Sequence, residues 1–103
     1  MSERLAKIEV MLSKAPQDAF LLYAAGLECK KAGRTGEALA YLERATVSDG
    51  KMYYAYFQRG EIHAARGEKA AAKQVLEAGL TAAKAGGDAK AAGEIESLMA
   101  EIS

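Results

Sequence analysis

The stretch Tyr53–Gly67, YYAYFQRGEIHAARG, repeats the pattern of Ala19–Gly33, AFLLYAAGLECKKAG, which lies 34 residues earlier. Gly60 falls on Gly26, Gly67 on Gly33, and Tyr56 on Leu22. The register persists beyond this stretch, with Ala72 on Ala38, Leu76 on Leu42, Glu77 on Glu43 and Gly79 on Ala45. A fixed period of this length marks stacked supersecondary units, none of which buries its apolar face alone.

The composition bounds the class. A chain of 103 residues is expected to form one domain and to bury roughly 60–70% of its unfolded surface. Half the residues are apolar and 27% are charged, as in soluble globular proteins. The 14 basic and 14 acidic side chains cancel, which argues against a nucleic-acid partner, whose footprint is a basic stripe, and against a polybasic membrane surface. Cys29 is the single cysteine, so no internal disulfide forms and a reducing, cytoplasmic location is expected. Arg4, Lys7, Glu9 and Lys14 interrupt the N-terminal apolar runs, so no secretory signal is read there. The longest apolar run, Ala19–Ala25, falls far short of the ~18 residues of a spanning helix.

Helix signals account for nearly every residue. The chain is rich in alanine, has one proline, and shows no clustered β-branched run; an all-α fold of about six helices follows. Leu5, Ile8 and Leu12 form one apolar stripe over residues 2–14, and Pro16 stops that helix. Asp18 is placed to cap a helix over residues 19–31, and Gly33 to end it in the left-handed region. Thr35 is expected to cap the returning helix, with Glu37 in its first turn. The pattern recurs over residues 52–65 and about 69–84, and Asp88 is placed to cap a last helix carrying Ile95, Leu98, Met99 and Ile102. Connections this short force consecutive helices antiparallel. Gly26 and Gly60 lie inside helices, where glycine costs about 1 kcal/mol relative to alanine. Their shared register implies that a partner backbone or bulky side chain comes too close for a Cβ.

These residues resemble the tetratricopeptide repeat, whose helix–turn–helix unit carries an aromatic, Leu-Gly and Tyr on its first helix, then Ala, an aromatic and Ala on its second. The first copy here reads Leu22, Ala25-Gly26, Cys29, then Ala38, Leu42, Ala45; the second reads Tyr56, Arg59-Gly60, His63, then Ala72, Leu76, Gly79. Cys29 and His63 replace the usual Tyr, Arg59 replaces Leu, and neither full repeat closes with proline. The resemblance, to a small stand-alone domain of bacterial type, implies antiparallel hairpins stacked as a short right-handed superhelix. It divides one domain, residues 1–103, into a half-repeat over 1–18, full repeats over 19–52 and 53–86, and a capping helix over 87–103. Met1 and the half-repeats fit a complete chain.

The same resemblance implies a concave groove lined by the first helix of each repeat. The groove residues are Phe20, Tyr23, Leu27, Lys30 and Lys31 in one copy and Tyr54, Phe57, Glu61, Ala64 and Ala65 in the next; the alternatives for the aromatics among them are cover by the C-terminal helix or a place in the core between repeats. The expected function is capture of an apolar or amphipathic peptide or helix from another protein; the alternative is a structural homo-oligomer, such as a homodimer, built through the same groove. The basic clamp by which part of the family grips C-terminal carboxylates is absent, because Tyr23, Leu27 and Gln58 occupy its positions. No catalysis is expected. Cys29 and His63 suggest a nucleophile and a base, but no third group is apparent to orient them, and two ligands do not make a metal site. No phosphate-binding glycine loop is present, and no cofactor or metal is implied.

Overall fold

In a computed structural model, residues 2–102 are described, and they form helices with short connections. In chain order these are α1 (Glu3–Lys14), α2 (Ala19–Lys31), α3 (Thr35–Ser48), α4 (Tyr53–Ala65), α5 (Lys69–Ala85) and α6 (Ala89–Ile102). No strand occurs among the described residues. The chain divides at Asp49–Gly50 into two compact units, the first holding α1–α3 and the second α4–α6.

Local chemistry sets the helix ends. Asp18 Oδ1 accepts the Leu21 N–H at 3.1 Å and Asp88 Oδ1 the Ala91 N–H at 2.9 Å, so both expected caps form. Ser2 Oγ does the same for Leu5 N–H at 3.0 Å at the start of α1. Thr35 does not cap α3: it is the first helical residue, and Arg34 precedes it with no side-chain cap. Arg34 instead forks onto Glu37, its Nε and Nη2 donating at 2.8 and 2.7 Å. A carboxylate in the first turn, held there by Arg34, serves the free amide end electrostatically where a hydroxyl cap was expected. Gly33 and Gly67 adopt φ of 78° and 77°. In each case the following N–H (Arg34, Glu68) reaches back 2.9 Å to the carbonyl of Cys29 or His63, the paired-bond ending that requires a left-handed residue.

In the first unit, α2 and α3 form an antiparallel hairpin. Gln17, just before α2, accepts through its carbonyl the Ser48 hydroxyl at the far end of α3, and Gly26 further along α2 faces Leu42. A Cβ built on Gly26 would lie 2.7 Å from Leu42 Cγ. Leu22, Ala25, Cys29, Ala38, Leu42 and Ala45 are wholly buried. α1 packs on α2 through Leu5, Ile8 and Leu12, and reaches α3 through Tyr41 Oη, which donates to Glu9 Oε2 at 3.0 Å. Pro16 ends α1 as expected, leaving Ala15 outside the helical region.

The second unit repeats the hairpin. Along α4, Tyr53, Tyr56 and Gly60 meet Gly86, Gly79 and Leu76 in turn, so α5 runs antiparallel to α4. A Cβ on Gly60 would lie 2.5 Å from Leu76 Cγ, and one on Gly79 would lie 2.5 Å from Tyr56 Cβ. α6 then closes this unit: Ile95, Leu98 and Ile102 cluster with Ala72 and Leu76, and Ala91 and Ala92 with Tyr53 and Ala83.

Glycine-to-alanine changes therefore have opposite signs at two mid-helix sites. Gly60→Ala forces the buried Leu76 aside and is expected to cost about 1–3 kcal/mol. Gly93→Ala, with nothing within 4 Å, is expected to gain about 0.5–1 kcal/mol from helix propensity. Urea melts of the two variants check this; a Gly60→Ala protein as stable as wild type contradicts the packing account.

Candidate partner-binding faces

The α2 face carries the first set of expected groove residues. Phe20, two residues past the Asp18 cap, is 76% exposed. Tyr23 and Leu27 follow at helical spacing and are half-buried, Lys30 is half-buried, and Lys31 is exposed. The stripe thus presents an apolar end and a basic end on a single helix whose opposite side is committed to α3.

Of the α4 set, Tyr54, Phe57, Glu61 and Ala64 are half-buried and Ala65 is exposed. Tyr54 packs against the Tyr53, Ala83, Ala91 and Ala92 cluster. Phe57 leans on Ala72, Leu76, Ile95, Leu98 and Ile102, with a shallow hollow of about 320 Å³ beside it lined also by Gly93, Glu94, Ser97 and Glu101. The aromatic pair of α4 is therefore partly covered by the C-terminal helix and contributes to the core of its unit. Of the two stripes, that on α2 is the more open at its aromatic end.

Sequence reasoning missed Glu28. Its side chain is 8% exposed although it lies one residue from the buried Cys29. Ser2 Oγ donates to Glu28 Oε1 at 3.2 Å, and Arg4 Nε and Lys31 Nζ each stand 3.7 Å from Oε2. A buried carboxylate needs such partners, and these tie the N-terminus of α1 to the end of α2. Lys31, three residues on, is the one local signal; the burial itself comes from α1, which no local pattern reveals.

Cys29 and His63 each have a structural setting. Cys29 is fully buried. Burial raises its thiol pKa; the Glu37, Glu9 and Glu28 carboxylates add to this and Arg34 opposes it. The group is therefore held as thiol at neutral pH. His63 Nδ1 lies 2.8 Å from Glu68 Oε1 across the α4–α5 turn. This hydrogen bond is the main reason the Glu68 carboxyl sits below the usual range; burial opposes it and Arg66 assists. No group of three or more His, Cys, Asp or Glu among the described residues is placed to hold a metal ion, and no described helix is long and apolar enough to cross a membrane.

Iodoacetamide should therefore modify Cys29 in the native protein at least about a hundredfold more slowly than in urea. Mass spectrometry of timed quenches gives the rate. Equal rates in the two conditions would contradict the burial.

No protein-family model matches this chain, and no curated protein matches it. Among solved structures, the solution structure of protein BPP2914 from Bordetella parapertussis is similar over 99% of this chain and 89% of its own, with a TM-score of 0.83 and 24% identity. At that identity the likeness is one of fold.

Proposed function

We propose that this chain is a non-catalytic, cytoplasmic protein-interaction module of the tetratricopeptide type, which captures an apolar or amphipathic peptide from another protein. The observation that carries the reading is Phe20: a phenylalanine 76% exposed at the head of a stripe that continues through Tyr23 and Leu27. Aromatic side chains bury ~150–250 Å² each and supply much of the energy of peptide recognition. Lys30 and Lys31 at the other end suit an acidic residue of the ligand. A second reading, self-association through the same stripe, is favoured by the zero net charge, since copies without excess charge do not repel.

Selection of peptides from a random display library against the whole protein tests the reading. Enriched peptides are expected to be apolar or amphipathic. Phe20→Ala, at an exposed site, should weaken them at least about tenfold while shifting the melting temperature by no more than about 2 °C. An unenriched library, or peptides indifferent to Phe20→Ala and Leu27→Ala, would refute it. If light scattering instead finds a dimer that Phe20→Ala dissociates, the self-association reading replaces it.

A further inference from the structure

The two terminal helices are held differently. α6 packs on both α4 and α5 and buries Ala91, Ala92, Ile95, Leu98 and Ile102. α1 packs on α2 and buries Leu5, Ile8 and Leu12, while Val10 and Met11 stay 61% and 46% exposed. Its hydrogen bond to α3, from Tyr41 Oη to Glu9 Oε2, lies at the surface. At 12 residues, α1 sits in the range of ~12–15 residues below which an isolated helix is marginal in water, so it keeps its form only while docked.

The polar ties of α1 gather at its two ends. Beyond its C-terminal end, the connection to α2 is fastened to α3: Arg44 Nη2 donates to the Pro16 carbonyl at 3.2 Å and the Ser48 hydroxyl to that of Gln17. These bonds do not involve α1 itself, so they survive its departure. At the N-terminal end, Ser2 and Arg4 meet Glu28, the buried carboxylate near the end of α2. Ser2 Oγ has two tasks there. It accepts the Leu5 N–H at 3.0 Å, which caps α1, and it donates to Glu28 Oε1 at 3.2 Å. Capping and docking thus share one hydroxyl. Glu28 is 8% exposed while α1 is in place, and Lys31 of its own helix stands 3.7 Å away. Lifting α1 returns this carboxylate to water, which offsets part of what the contact with Arg4 loses.

We infer that α1 is a strap that opens as a unit about residues 15–17 while the α2–α3 hairpin stays folded, with Glu28 as the latch of its free end. The hairpin keeps its register without the strap, because the seam that sets it, Leu42 against Gly26, is made between α2 and α3 alone. A segment with few buried apolar side chains and surface polar ties opens below the free energy of global unfolding. Opening frees Leu21 and Ala24, which border α1, and Ala24 lies one turn from Phe20, so the apolar face of α2 widens. The inference concerns the chain by itself and its test needs no ligand, so it stands or falls apart from the interaction reading.

Native-state hydrogen exchange of the whole protein, followed amide by amide by NMR, is the test. Corrected for intrinsic rates, the amides from Ile8 to Leu12 should exchange at least about tenfold faster than those from Ala25 to Cys29 and from Leu42 to Ala45. Ser2→Ala removes both the cap and the donor to Glu28. It should speed the α1 amides at least about tenfold further and those of α2 and α3 by less than about twofold. Leu5→Ala, at a side chain 1% exposed, should speed the α1 amides at least about thirtyfold with the same selectivity. Wild-type α1 amides as slow as those of α2 and α3, or variants that speed all three helices alike, would make unit one a single cooperative block and overturn the proposal. A Ser2→Ala protein whose α1 amides keep the wild-type rate would overturn the latch.

Discussion

Leu42 and Leu76 each enter a hairpin where the facing helix has no side chain, and the rest of each unit is arranged by that contact. A leucine wholly withdrawn from water contributes about 1.5–3 kcal/mol through burial, but only where the opposite helix comes close enough to complete its surroundings. Gly26 and Gly60 permit that approach, at a helix-propensity cost of about 1 kcal/mol each. The exchange favours packing, and it fixes the register as well: sliding either helix by one turn would set the leucine against a side chain.

Committing one side of α2 and α4 to this seam decides what the other sides do. On α2 the remaining face keeps an exposed phenylalanine followed by Tyr23 and Leu27. On α4 the equivalent aromatics are drawn into the cluster that α6 completes, so the same sequence pattern has two outcomes set by what packs next to it. On α1 the buried residues are Leu5, Ile8 and Leu12, while Arg4 and Met11 beside them stay exposed.

Much of this was legible beforehand because it is local or periodic. The Asp18 and Asp88 caps, the left-handed Gly33 and Gly67, the stop at Pro16 and the bounds of α2 follow from short-range chemistry, and the seam glycines follow from their shared spacing. The features that escaped depend on contacts made at a distance. Thr35 has the chemistry of a cap, yet the Arg34–Glu37 fork moved the helix start one residue earlier. Glu28 reads as a surface carboxylate until α1 brings Ser2 and Arg4 to it. Phe57 shares its pattern with Tyr23, and the pattern alone does not choose between groove and core; Leu98 and Ile102 of α6 beside it do. Periodicity assigns a residue to a face, but the neighbour of that face has to be built before its exposure is known.

The most direct test of this account is a double-mutant cycle on the seam, combining Gly60→Ala with Leu76→Ala and measuring unfolding free energies in urea. If the methyl group at residue 60 is costly because it strikes Leu76, shortening Leu76 must relieve it, and the double variant should be more stable than the sum of the single losses predicts by at least about 1 kcal/mol. Additivity within about 0.3–0.5 kcal/mol would mean that the glycine and the leucine act independently, and the seam would lose its place as the contact on which the hairpin depends.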